Sequence, residues 1–300
     1  MNAVIVRTLP VVIFIAGLAA TMAVVIIWRR KLRHRRNPLT TKLLRAPGES
    51  LRQQIDDLNL DIYGWLLFTG IIPYFIVSLH LFESYVAGMP ETIGRLAVNL
   101  MAMAAAMGYG IYKLLGLWRR REHLRLGLDA ERATGQELTK LLKLGFHVYH
   151  DVPADGFNLD HVAVGPLGVY VIESKGRSKS REKTGGEGVT VYYNGASLQF
   201  PSWQETKPIE QVEGAANWLS RQLSRDTGEN IRVQPVLSIV GWNVKLVNKK
   251  DGPVIYNGGN PDLLFPKWKR QDLSDATIKQ ICDRIEQWVG DVEPTAYRVE

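Results

Sequence analysis

The sequence predicts an α/β domain, a mixed sheet flanked by helices, preceded by an all-α membrane region of three transmembrane helices. Apolar runs over 9–28, 62–85 and 93–117 are each long enough to cross about 30 Å of hydrocarbon. From Phe146 onward, short runs rich in β-branched residues alternate with glycine-marked turns and longer amphipathic stretches. The charge divides in the same way. Lys plus Arg against Asp plus Glu is 16 against 7 through residue 128, and 21 against 23 afterwards. The net charge of +7 therefore reports membrane flanks, and gives no argument for nucleic-acid binding by the second part.

The run 9–28 carries no charge and is followed by Arg29, Arg30, Lys31, Arg33, Arg35 and Arg36. A cleaved signal peptide has its positive cluster before the apolar segment, so this order favours a retained span. Basic residues at a membrane exit mark the cytoplasmic side. That places the N-terminus outside and makes 29–60 a cytoplasmic linker, with a short polar helix over 49–60. The second span, 62–85, contains Gly70 and Pro73, both tolerated in membrane helices, with His80 and Glu83 near its far interface. Gly88-Met89-Pro90 turns the chain into the third span, 93–117. There Gly94, Ala97, Ala104, Ala105, Gly108 and Gly110 offer small packing surfaces and Arg95 can snorkel. Trp118-Arg119-Arg120-Arg121 repeats the inside signal. The membrane region is thus 1–121 and the cytoplasmic domain 122–300. Three spans with few polar positions give no midplane site, which argues against a transporter.

The domain opens with a helix over 128–144, in which Glu131, Thr134, Leu138, Leu141 and Leu142 recur at helical spacing. Glu131 lies on the core-facing stripe, where a carboxylate needs a partner. A first-turn role toward the helix dipole is the alternative. Gly145 stops the helix, Phe146-His-Val-Tyr149 begins a strand, and 151–157 reads as a loop. Further on, 189–193 and 197–200 form a hairpin around Asn194-Gly195. An amphipathic helix from Pro208 passes through Val212, Ala215, Ala216 and Leu219. A buried strand follows over 233–240 and a closing helix over 275–289, while 242–273 is assigned only as a small sheet extension. The single cysteine, Cys282, excludes a disulfide framework.

Most of the chemistry is concentrated in 158–175, NLDHVAVGPLGVYVIESK. Two apolar runs flank Gly165-Pro166-Leu167-Gly168. Alternation puts Asp160, Val162 and Val164 on one strand face, and Val169, Val171, Glu173 and Lys175 on one face of the next. With 165–168 as the loop, Val164 lies opposite Val169 and Asp160 opposite Glu173, with Cβ atoms about 4.5–5.5 Å apart. Facing carboxylates repel unless a cation lies between them. Two carboxylates with Lys175 one pleat beyond make a site for a divalent ion and the water it activates. The alternative is a set of strand-end charges salt-bridged in water. Arg177, Lys179, Arg181 and Lys183 follow directly, as a solvated loop or as phosphate contacts beside the site. Gly185-Gly186-Glu187-Gly188 lacks the lysine and spacing of a phosphate-cradling loop, which excludes a nucleotide triphosphatase.

Asn-Leu-Asp-His-Val, Val-Gly-Pro-x-Gly-Val and Ile-Glu-Ser-Lys-Gly together resemble the nuclease-related domain (NERD) of the PD-(D/E)xK superfamily. The upstream Gly127-Leu-Asp-Ala-Glu131, Gln136-Glu-Leu and Leu141-Leu142 resemble the family's opening helix, so the likeness spans about 125–220. It implies a restriction-endonuclease-like fold and a catalytic set of Glu131, Asp160, Glu173 and Lys175. Asp160 and Glu173 would be metal ligands, with Glu131 completing the shell. Gln211 resembles a recurring supporting position, although an incidental glutamine on a core-packing helix reads equally well. Leu159 stands where proline or isoleucine often precedes the aspartate, a change in packing only.

The expected function is therefore a multi-pass, membrane-anchored, Mg²⁺- (or Mn²⁺-) dependent nuclease that hydrolyses DNA or RNA at the cytoplasmic face. Its expected partners are nucleic acid and the lipid bilayer. A catalytically silent NERD scaffold or nucleic-acid-binding module is the alternative, and the near-neutral domain favours it.

Overall fold

The computed structural model describes residues 16–28, 30, 37–179, 189–247, 252–268 and 270–294. Two compact units emerge, with boundaries that differ from 121/122. One contains Asp61–Leu117 and the other combines Leu43–Leu60 with Trp118–Val292. The expected linker is therefore divided, and its second half belongs to the α/β unit.

The helices are α1 (Ala16–Trp28), α2 (Glu49–Tyr85) and α3 (Ile93–Leu138). Two of them, α2 and α3, are long and apolar enough to cross a membrane. The first expected span falls partly outside the described residues, and its described portion is α1. Of the arginine cluster behind it, only Arg30 is described. In the first unit, Leu66, Leu67, Phe68, Ile71, Tyr74 and Phe75 stand exposed, as side chains meant for hydrocarbon would. The spans meet through small residues: a Cβ on Gly110 would lie 2.5 Å from Thr69 Oγ1, and Trp65 and Tyr109 pack edge to face at 5.5 Å. Arg95 does not simply snorkel. It donates to Ser84 Oγ at 2.7 Å and to the Pro90 carbonyl at 3.1 Å, tying the turn between α2 and α3.

The domain helix expected from 128 begins earlier. Residues 118–138 are the end of α3, and a 3₁₀ segment, Thr139–Leu144, continues to Gly145. Gly145 adopts φ 76°, a left-handed stop that glycine takes without steric cost.

The sheet of the second unit runs β1 (His147–Pro153), β2 (Asn158–Gly165), β3 (Gly168–Lys175), β7 (Val233–Ile239) and β9 (Val254–Tyr256), in that spatial order. β1, β2 and β3 are antiparallel, whereas β3, β7 and β9 run parallel. Val164 pairs with Val169 as the spacing required. The strands extend one residue further, to Gly165 opposite Gly168, so the turn is Pro166-Leu167 alone. β1 also runs through Asp151 to Pro153, where a loop was expected.

Alternation then fixes both faces. Val162, Val164, Val169, Val171, Leu237 and Ile239 face α4 (Lys207–Thr227) and α6 (Asp275–Val289). Ala163, Tyr170, Ile172, Val236 and Tyr256 face Leu138, Leu141, Phe146 and Phe265. Leu219 of α4 is fully buried, and truncation to alanine at such a position costs about 2–5 kcal/mol.

A second sheet, ordered β6-β5-β4-β8, gathers β4 (Thr190–Tyr193), β5 (Leu198–Gln199), β6 (Gln204–Glu205) and β8 (Asn243–Leu246). This resolves 242–273: β8 joins the small sheet and β9 joins the main one. Short helices α5 (Pro261–Leu264) and Phe265–Trp268 then bring Phe265 onto the Tyr170 face.

Candidate active site

Asp160 and Glu173 come together at the end of the β2–β3 pair. The last hydrogen-bonded partners are His161 and Ile172, so the next step sets Asp160 opposite Glu173. Asp160 Oδ2 accepts the Ser174 backbone N–H at 2.6 Å, which locks its carboxylate across the strand end. Lys175 Nζ donates to Glu173 Oε1 at 2.5 Å and to Gln211 Oε1 at 3.0 Å, while Gln211 Nε2 donates to the same Glu173 oxygen at 2.7 Å. Gln211 reaches the pair because the apolar stripe of α4 packs on the Val169 and Val171 face, which leads outward to Glu173 and Lys175.

Glu131 arrives from α3 on the other side of the sheet and is buried. Its carboxyl is pushed up to about 8, first by burial and then by the charges of Asp151 and Glu173, with Lys175 pulling down. Burial also drives Asp160 well above the usual carboxylate range, reinforced by Glu173 and Glu131. Both shifts come first from burial, and neighbouring carboxylates add to them against a single opposing ammonium.

The expected phosphate contacts are placed differently. Arg177 is committed to a two-pronged ion pair with Glu205, at 2.8 and 2.7 Å, and donates to the Gly176 carbonyl. A guanidinium held in that fork already has a carboxylate partner. Lys179 Nζ donates to the Gly241 carbonyl and lies 5.6 Å from the centre of the Trp242 ring. Arg181 and Lys183 lie outside the described residues.

Sequence reasoning missed a fourth carboxylate. In β1, His150 pairs with His161 and Val152 with Leu159. Between them Asp151 leaves the ladder with φ 49°, a left-handed conformation that aspartate tolerates better than most residues. Buried Asp151 Oδ2 accepts from Ser50 N at 3.0 Å, Ser50 Oγ at 2.6 Å and Arg45 Nη1 at 3.1 Å, and Asn158 Nδ2 donates to Oδ1 at 3.2 Å. Gly48, at φ 72°, brings its backbone against α3, where an added Cβ would lie 3.5 Å from Glu131 Oε2. The former linker thus builds one wall of the site. An aspartate that leaves a strand, paired with residues a hundred positions upstream, carries no periodic signal.

On the opposite sheet face, His150 Nδ1 and His161 Nδ1 lie 2.8 Å apart, and His161 Nε2 lies 3.1 Å from Ser174 Oγ. Burial pushes His150 down to about 4 and His161 well below the normal imidazole range.

Carboxylate oxygens held together against their own repulsion fit Mg²⁺ or Mn²⁺ in kind. As they stand they form a facing pair with Glu131 beyond it. Among the described residues, no three His, Cys, Asp or Glu side chains converge closely enough to hold an ion. An ion would compete for Glu173 Oε1 with Lys175 and Gln211.

No curated protein and no solved structure matches the chain. A family does match over part of it, from the end of α3 through β7, a stretch that includes Glu131, Asp160, Glu173, Lys175 and Gln211. Over residues 126–240 the chain matches the family model of the nuclease-related domain, NERD.

Proposed function

We propose that the α/β unit is a divalent-metal-dependent phosphodiesterase of the PD-(D/E)xK type, cutting DNA or RNA at the cytoplasmic face of the membrane that α2 and α3 cross. The observation that carries this reading is Asp160 facing Glu173, with Lys175 fixed beside them by Glu173 and Gln211. Asp160 and Glu173 would hold Mg²⁺ or Mn²⁺, with Glu131 as the nearby third carboxylate. When bound, such an ion supplies a hydroxide nucleophile near neutral pH and polarises the phosphoryl oxygens.

The chain's own residues do the rest. Two hydrogen bonds hold the Lys175 ammonium, so it meets charge developing on a phosphate oxygen without reorganising. Gln211 keeps Glu173 Oε1 oriented from a rigid helix. Glu131 holds its proton up to about pH 8 in the metal-free protein and gives it up when positive charge arrives. The expected topology is a cytoplasmic α/β unit, from the basic residues 29–36 and 119–121.

A catalytically silent scaffold is favoured by a different observation: Glu173 and Lys175 already neutralise each other at 2.5 Å. The full chain in detergent, incubated with labelled DNA and RNA with and without Mg²⁺, distinguishes the two. Metal-dependent cleavage lost in Asp160→Asn supports the nuclease. A folded protein that cleaves neither polymer with any divalent ion establishes the scaffold.

A further inference from the structure

A cleft of about 530 Å³ opens beside Lys175, lined by Lys175, Arg177, Glu205, Lys207 and Gln211. Trp203 directly precedes its lining residues Gln204 and Glu205 in the chain. One face of its indole is covered by Phe200, stacked at 4.5 Å and 8°, and Trp242 closes on it edge-on at 6.1 Å. Its N–H donates to Glu205 Oε1 at 2.7 Å, and Glu205 is itself gripped by both prongs of Arg177. The indole is therefore held on one face and along its polar edge. It still remains 37% exposed, an unusual place for the largest side chain unless the outward face has a use.

Both halves of a nucleotide find partners here. Lys175 and Lys207, beside the Arg177–Glu205 pair that cancels itself, suit a phosphate chain, and a fixed, outward aromatic face suits a base. A paired base inside a duplex keeps its faces covered by its neighbours and cannot lie on the indole. We infer that the substrate strand enters this cleft single-stranded, with an unpaired base stacked on Trp203. This rests on the nuclease reading and adds the substrate class to it. Trp203 is a specificity-determining residue, and the cations supply attraction without sequence preference.

The test uses the full chain in detergent and EDTA, so that binding is read without cleavage. Fluorescence anisotropy compares a labelled oligothymidylate, the same strand with abasic sites, and a duplex of equal length. Trp203→Leu keeps apolar packing on Phe200 but removes the π face, and should weaken binding of the oligothymidylate by about tenfold. Trp203→Phe should retain most of the affinity. The abasic strand should bind the unmutated protein as weakly as the oligothymidylate binds Trp203→Leu, with no further loss in that variant. Melting curves confirm that both variants fold. Equal affinities for Trp203→Leu and the unmutated protein overturn the inference, as does an equal loss on the abasic strand or no binding of single strands at all. A protein that cleaves while Trp203→Leu leaves binding unchanged sinks only this inference. One that binds through Trp203 but never cleaves with any divalent ion sinks only the nuclease reading.

Discussion

Arg45 clamps Asp151 from the far side of the site: Nη1 lies 3.1 Å from the carboxylate and 3.2 Å from the backbone carbonyl of the same residue. The other edge of the guanidinium holds Asp291 at 2.8 and 2.6 Å. One side chain thus ties the start of α2, the irregular residue of β1 and the end of α6. Arg45→Ala should leave Asp151 buried with only Ser50 and Asn158 as partners, at a cost of about 1–3 kcal/mol. A melting temperature several degrees lower is expected. An unchanged melting curve would mean that residues 43–60 do not fold with the α/β unit.

Glu131 makes the metal-free protein sensitive to alkali. Its folded carboxyl titrates near 8 and its unfolded one near the ordinary glutamate value. The stability this contributes is complete below the unfolded value and declines as pH rises through 8. Between pH 6.5 and 8.5, in EDTA, the unmutated protein should lose on the order of 2 kcal/mol. Chemical denaturation at the two pH values measures it, and Glu131→Gln should flatten the difference.

Divalent ions should act in the opposite direction. Mg²⁺ or Mn²⁺ at millimolar concentration should raise the melting temperature by mass action, and more so at pH 8.5 than at 6.5, because protons no longer compete. Asp160→Asn should abolish the increment without destabilising the metal-free protein, since an amide oxygen still accepts the Ser174 N–H. A melting curve indifferent to the ions rules out the metal site.

Lys175→Met separates catalysis from binding. Metal-dependent stabilisation and most nucleic-acid affinity should survive, while hydrolysis falls by about a hundredfold or more. Gln211 still holds Glu173 in the variant, so the fold should persist. Full turnover in the folded variant would refute the assigned role.

Orientation is checked with reporters. One that works only in the cytoplasm should be active when fused after Glu300 and silent when inserted near Gly88. The reverse pattern would place the α/β unit away from intracellular nucleic acid.

The chemistry was legible in the sequence wherever it rested on strand parity. Counting outward from Gly165-Pro166-Leu167-Gly168 sets Asp160 against Glu173 and points Lys175 the same way, and the register of β2 and β3 follows that count. What parity cannot reach is a partner brought from another part of the chain. Arg45 and Ser50 meet Asp151 across a sequence separation of about a hundred residues, and Glu205 meets Arg177 because β6 folds back beside β5. Helix ends were misjudged for a related reason. Nothing in 118–128 breaks a helix, so α3 continues without interruption to Leu138.

The two histidines that face each other across β1 and β2 resist taking up protons. With Nδ1 2.8 Å from Nδ1, one ring must carry a hydrogen there and the other must not, so the tautomers of His150, His161 and the hydroxyl rotor of Ser174 turn over together or not at all. A second proton between the rings would set two N–H donors against each other inside the sheet and leave a positive ring buried there. Unfolded imidazoles accept protons near pH 6.5, whereas His150 resists down to about 4, so at this ring a proton in that interval favours the unfolded chain. Acidification from 6.5 toward 4 therefore loosens the strand pair that carries Asp160 at its two rings, against the stability that the raised carboxyls of Glu131 and Asp160 gain over the same interval. Opposite responses to pH thus arise within a few residues of the same carboxylates.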